Sequence, residues 1–422
     1  MLIRGGTVVT ADGERLADVR IRDGRVAEVR PDLPPDGDVI DATGHLVLPG
    51  VVDPHTHLLL DTGAARTADD FESGSLSAAA GGVTTFLDFA PQQPGQRFAE
   101  ALQSRLDLIE GRSYIDYAMH LNIAHLPAGW EHDLAALVEA GVTSAKIYTT
   151  YRGTIFYADD WTWYRLMERA RAAGFLVQVH AENDAIVEGM AQQLVDEGKR
   201  SLKYHALARP AVAEAEAVGR GLLFSRATGS PVYFVHLSTP LSVDMISEAR
   251  RSGVSQAQLW DRLSRGAIQS IGSDHCGFSL SQRAGIDDFR EISPGIPGVE
   301  TSLLLMHSFG VVAQRISRSD LVRLLCTNPA KIFGLWPQKG DLQAGSDADL
   351  VLFDPRPTRA LTAAELHSRA GFSPYEGLTV AGKVHTTICR GQVIYRDGAI
   401  VGRRDFGRFV PCRPFDPELV PL

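Results

Sequence analysis

The first 50 residues alternate apolar and polar positions in short runs. LIRGGTVVT, DVRIRDGRVAEV and HLVLPG are punctuated by Gly and Asp-Gly, which predicts strands joined by tight turns. The same texture returns late in the chain, in DADLVLFDP and KVHTTICRGQVIYRDGAIVG. Two β-rich pieces at opposite ends predict one discontinuous β-sandwich domain, residues 1–50 with 340–400. The Pro-rich residues 401–422 read as an irregular C-terminal tail, a docking arm.

Between these pieces, short apolar runs alternate with helical patterns. The runs are 46–52, 83–89, 115–123, 143–148, 175–180, 231–236 and 267–272. Helical spacing covers 73–81, 97–110, 131–140, 160–173 and 211–227. Strand, helix, strand, repeated, places an α/β fold here: a (β/α)8 TIM-like barrel over 51–339. The runs number seven, not eight. Two helical patterns, near 240–252 and 256–265, follow one another with no strand between them. One strand unit is therefore missing near Gly253–Ser255.

Composition narrows the class of protein. Of 422 residues, 44% are hydrophobic and 22% charged, which is ordinary for a globular chain and excludes a disordered one. A net charge of −9 with no basic patch argues against nucleic acid as partner. No run of 18 apolar residues predicts a membrane span, and MLIRGGTVVTADGE has no leader-like apolar core. Cys276, Cys326, Cys389 and Cys412 lie far apart, which fits a reducing cytoplasm rather than a disulfide scaffold.

The chemistry gathers at strand ends, where barrels carry their active sites. His55 and His57 form an HTH after the first run; residues i and i+2 of an extended segment face one side, so both rings can meet one metal. His180 ends FLVQVH, His236 ends PVYFVH, and Asp274 follows AIQSIGS. Taken singly, each reads as a hydrogen-bonded core histidine or a capping aspartate. Four imidazoles and a carboxylate at strand C-termini together offer nitrogen and hard oxygen donors, suited to Zn²⁺, Mn²⁺, Fe²⁺ or Co²⁺. Lys146 sits inside the apolar run TSAKIY, where an ammonium is costly to bury. It is either a snorkelling lysine or a lysine carbamate, whose two oxygens could bridge two metals.

At this point the chain resembles the dihydropyrimidinase/hydantoinase family of the amidohydrolase superfamily. The matching stretches are PGVVDPHTHL, DDFESGSLSAAAGGVTTFLDF, IDYAMH, VTSAKIYTTY, VQVHAEN, FVHLS, GSDHC, GIPGVET, TNPAKIFGL, KGDLQAGSDADLVLFDP and SPYEGLTVAGKV. The resemblance implies a binuclear hydrolase that opens the ring amide of cyclic ureides to N-carbamoyl amino acids. It implies that His55 and His57 bind one metal and His180 and His236 the other, most commonly zinc. It further implies that N6-carboxylated Lys146 bridges them, and that Asp274 ligates the first metal and acts as general acid/base. Tyr151 matches the tyrosine that hydrogen-bonds the developing oxyanion; by residue type alone it reads as a packing aromatic. A homotetramer or dimer is implied as well, the tail reaching a neighbour.

Two departures stand out. Relatives continue after the His236 strand with a Glu-Thr-Cys-Pro-like segment and a Ser-Pro-Pro-Leu-Arg-like strand; this chain passes from EARRSGV to SQAQLWDRL. Pro294 stands where the family has an asparagine that contacts the substrate ring, and proline offers no donor. An allantoinase, a dihydroorotase and a non-catalytic hydrolase-like scaffold are the alternative readings. His275 and Cys276 read as packing or supporting residues beside Asp274.

Overall fold

The structure is a computed structural model that describes residues 1–250, 260, 263 and 266–419. Leu2–Thr10 (β1), Gly13–Arg22 (β2) and Arg25–Arg30 (β3) form an antiparallel ribbon. Asp23 and Gly24, at φ 50° and 73°, make the turn between β2 and β3. Two successive positive φ values are what a two-residue hairpin loop needs to match strand twist, which is why Asp-Gly sits there. Val39–Asp41 (β4) and Leu46–Pro49 (β5) run parallel to β1.

The apolar run at 46–52 is divided between two sheets. Its first half is β5, and its second half opens Val51–Thr56 (β6), the first strand of a parallel sheet. Gly50 makes the handover, because a Cβ there would meet Thr84 Oγ1 at 2.0 Å. The parallel sheet continues with Val83–Pro91 (β7), Asp116–Asn122 (β8), Ser144–Tyr148 (β9), Leu176–His180 (β10) and Val232–Phe234 (β11), neighbours in chain order. Helices Phe71–Ala80 (α1), Phe98–Ile109 (α2), Trp130–Glu139 (α3) and Asp160–Ala173 (α4) follow β6 to β9 in turn, and Asp184–Asp196 (α5) and Ala211–Thr228 (α6) both follow β10. Five of the six lie where helical spacing put them. α5 is the addition, started by the Asn183 side chain accepting from Ile186 N–H.

Six strands form this sheet among the described residues, where the sequence offered seven runs. The seventh run, 267–272, forms no strand and joins no ladder. Just beyond it, His275 makes one bridge to Thr56 of β6 and another to Ile296. On its far side β11 pairs only with β10 among the described residues, and the Tyr233 and Ser270 hydroxyls, 2.7 Å apart, span the break. A cavity of about 240 Å³ lies there, lined by Val232, Phe234, Val243, Ile246 and Ile268. Pro240–Arg250 (α7) matches the first helical pattern after His236; the missing unit at Gly253–Ser255 and, apart from residues 260 and 263, the expected helix at 256–265 lie outside the described residues.

Leu350–Ala360 (β12), Thr379–Cys389 (β13), Gln392–Arg396 (β14) and Ala399–Ile400 (β15) return to the first sheet. β12 pairs with β5, so the two ends of the chain make one nine-stranded sheet. Lys339 ties this sheet to the base of β8: its buried Nζ donates to Asp116 at 2.6 Å and Asp349 at 2.8 Å. The described part of the tail packs against its own barrel. Phe409 bridges Tyr117, Cys412 N–H donates to Gly141 O, and Val410 is buried. No helix among the described residues is long and apolar enough to cross a membrane.

Candidate metal centre

The C-terminal ends of β6, β9, β10 and β11 converge on one point. His55 lies in β6 and His57 one residue beyond it; their Nε2 atoms are 3.2 Å apart. Asp274 Oδ1 lies 3.2 Å from His55 Nε2 and 3.5 Å from His57 Nε2. Lys146, on β9 and only 1% exposed, brings its Nζ to 2.8 Å from His55 Nε2. One imidazole lone pair cannot both accept from that amine and face a carboxylate oxygen. A cation among these atoms would satisfy them all, and the ligand atoms of His55, His57 and Asp274 lie within 4.8 Å of one another. The donor set therefore fits a metal.

His180 and His236 complete the cluster. Their ring centroids are 4.4 Å apart, and the His236 ring is 6.2 Å from that of His55. Burial, and then the Lys146 ammonium, hold His55, His57 and His180 well below the usual imidazole pKa, so all three keep free lone pairs at neutral pH. Burial also pushes the Lys146 amine down to about 8. Its neighbours are aromatic: Nζ lies 4.5 Å from the Tyr148 ring centre and 5.0 Å from that of Phe89.

The backbone at the site is unusual. Tyr151, His236 and Asp274 have φ of 70°, 34° and 47°, the left-handed region that side chains with a Cβ seldom occupy. Such conformations cost on the order of 1–3 kcal/mol each and persist where surrounding structure enforces them. For Asp274 the enforcement is visible next door. His275 Nδ1 accepts from Gly298 and Val299 N–H, and its Nε2 donates to the buried Asp69 at 3.0 Å. Asp69 also accepts from the Ser73 and Ser368 hydroxyls and the Arg369 N–H.

Against protein-family models, residues 46–394 match the one described as Amidohydrolase family. The chain belongs to the amidohydrolase family. Among its relatives, this amidohydrolase is 36% identical to the D-hydantoinase of Geobacillus stearothermophilus, over 97% of this chain and 96% of that protein. It is 36% identical to a D-phenylhydantoinase of Escherichia coli O7:K1, both chains being covered in full. Of solved structures, the dihydropyrimidinase from Brevibacillus agri NCHU1002 matches with a TM-score of 0.95 at 34% identity, over 98% of this chain and 99% of that one. The alignment with the E. coli protein runs to 466 positions against the 422 residues of this chain, so about 44 of those positions (466 − 422) have no counterpart in this amidohydrolase.

The floor of a cavity of about 450 Å³ is formed by His57, Lys146, His180, His236 and Asp274. Tyr151 stands in its wall, with its ring 5.4 Å from that of His180; Cys276 and Pro294 line it too. Five of the six sequence-predicted ligand positions and Tyr151 thus share one chamber of the amidohydrolase, and His55, the sixth, touches His57 and Lys146 from behind it. Sequence reasoning missed Glu182 and Arg209. Glu182 Oε2 accepts from His180 Nε2 at 2.6 Å and is paired with the Arg209 guanidinium. Glu182 stands at i+2 from His180, the same spacing signal as the HTH; nothing in the pattern marks Arg209.

Proposed function

We propose that the chain hydrolyses the ring amide C–N bond of cyclic ureides, hydantoins and dihydropyrimidines, giving N-carbamoyl amino acids. The observation that carries this reading is the convergence of three imidazoles, a lysine amine and a carboxylate on the floor of one chamber, with the His55 imidazole directly behind them. His55 and His57 would hold one divalent metal and His180 and His236 a second, zinc being the first choice for such donors. Lys146 would bridge them as its carbamate: an amine pushed down to about 8 is partly neutral at physiological pH, as attack on CO₂ requires.

Such metals, when bound, bring water toward ionisation at neutral pH and polarise a carbonyl. The protein's own groups do the rest. Tyr151 points its phenol into the chamber, and burial keeps it protonated, so it can donate to the carbonyl oxygen as negative charge develops. Asp274 takes the proton released as water adds to the carbonyl carbon. It returns that proton to the ring nitrogen as the C–N bond breaks, so the nitrogen leaves neutral.

The chamber's charges favour a neutral ring. Arg209 is paired with Glu182, and Arg290 donates from Nε and Nη2 to Asp288 and from Nη1 to Gln192. Neither guanidinium is free for a substrate carboxylate, which weighs against a dihydroorotase. A panel of hydantoin, phenylhydantoin, dihydrouracil, allantoin and dihydroorotate, run on protein expressed with zinc and bicarbonate, tests the reading. Turnover confined to allantoin or dihydroorotate would sink it. Less than about 0.2 metal per chain would favour the scaffold. We further propose a cytoplasmic homo-oligomer, a dimer or tetramer, which light scattering of the purified protein would size.

A further inference from the structure

We infer that the Arg209–Glu182 ion pair is a positioning device that sets one metal ligand and the phenol at once. The inference rests on the functional reading above and goes beyond it, to how two parts of the site on different segments are held in register.

Consider first what Glu182 does to His180. Their side chains lie two residues apart at the end of β10 and so face the same side. The 2.6 Å contact commits His180 Nε2 to the carboxylate as a donor. A ring protonated on Nε2 presents its lone pair on Nδ1, so this contact chooses the tautomer and the ligating atom. Thr149 fixes the backbone that carries both groups: its hydroxyl accepts from Glu182 N–H and shares its one proton between Glu182 O at 2.7 Å and His180 O at 3.0 Å. Tyr148 stacks on the remaining ring face, with centroids 5.1 Å apart.

Arg209 arrives from elsewhere. It follows a 3₁₀ helix, Leu202–Ala208, and precedes Pro210 at the start of α6. Its guanidinium closes on Glu182, and the same planar group lies 5.2 Å above the centre of the Tyr151 ring. One side chain therefore braces the carboxylate behind His180 and covers the face of the phenol. A guanidinium can do both because it is flat and forked; an ammonium can supply the charge but not the flat cover.

These two roles separate experimentally. Metal competition against a chelating dye needs no substrate. Glu182→Gln keeps the shape and removes the charge, and the expected loss of metal affinity is about 10–100-fold. Arg209→Met should lose metal affinity and kcat together. Arg209→Lys restores a cation beside Glu182 but not the plane over Tyr151. It should recover metal affinity to within about threefold of wild type while kcat for hydantoin stays down about tenfold with KM little changed. A Glu182→Gln protein within twofold of wild type in metal affinity would overturn the inference. So would Arg209→Lys and Arg209→Met proteins that match in both readouts. If Arg209→Met does not fold, the two conservative variants carry the test alone. If wild type opens no cyclic ureide, the functional reading fails, and the metal competition still decides the role of the pair.

Discussion

Lys146 should be a liability in the metal-free protein and an asset in the loaded one, so replacing it should have opposite effects in the two states. Its amine falls from an ordinary 10.5 to about 8 because it is buried against Phe89, Tyr148 and His55. The folded-state pKa lies below the unfolded value, so the unfolded chain binds the proton more tightly. Below pH 8 the folded protein carries the whole cost, about 3 kcal/mol at 1.36 kcal/mol per pKa unit. The cost fades as pH rises from 8 toward 10.5. Lys146→Met keeps most of the volume and deletes the charge. For a chain of 422 residues, an unfolding entropy of about 0.9 kcal/mol per degree turns this into a rise of about 3–4 °C in the melting point at pH 7. The assay is differential scanning fluorimetry on chelator-treated protein at pH 7 and pH 10. In zinc and bicarbonate the order should reverse, because the variant lacks the bridging group and loses the metals' contribution. A metal-free Lys146→Met protein that melts at or below wild type would refute the buried-charge reasoning. Wild-type metal content in the same variant would refute the carbamate.

Three further outcomes follow from the same structure. Tyr151→Phe removes one donor to the developing oxyanion and should lower kcat about 10²–10³-fold with unchanged metal content, read by steady-state kinetics and elemental analysis. Lys339→Met leaves Asp116, Asp347 and Asp349 facing one another without their cation; a loss of about 3–5 kcal/mol in denaturant unfolding is expected, with near-normal turnover by whatever remains folded. Metal-free protein should lose stability as pH falls below about 6.5. His55, His57 and His180 are held neutral in the fold and must take up protons that the unfolded chain binds more readily. An acid titration of the unfolding midpoint that is flat from pH 7 to 5 would contradict this.

What the sequence made legible is whatever a one-dimensional period encodes. His55 and His57 could be read because two residues is the repeat of an extended chain, and His180 because it closes an apolar run. Asp-Gly marked the β2–β3 turn through the positive φ it tolerates. Residues 267–272 show the limit of the same signal: an apolar run reports burial, whereas a strand needs partners, and here β11 and the run meet through two hydroxyls instead of a ladder. Arg209 and Asp69 were invisible for a different reason. Arg209 reaches Glu182 from 27 residues away and Asp69 reaches His275 from 206, through loops that carry no periodicity. The run at 46–52 read as one strand because hydrophobicity does not record that its two halves belong to different sheets.

That division at Gly50 has a consequence for how the enzyme is made. β5 is held on one flank by β1 but on the other by β12, whose residues 350–353 are synthesised some 300 positions later. Gly50 N–H likewise donates to Asp349 O. The strand that leads into the HTH pair thus grows out of an anchor completed only when the last quarter of the chain has emerged. A nascent chain exposes the HTH pair early yet has no fixed seat for it. Metal capture is tied in this way to completion of the polypeptide, and a ribosome-bound or C-terminally shortened chain should hold its metals poorly even though every ligand is already present.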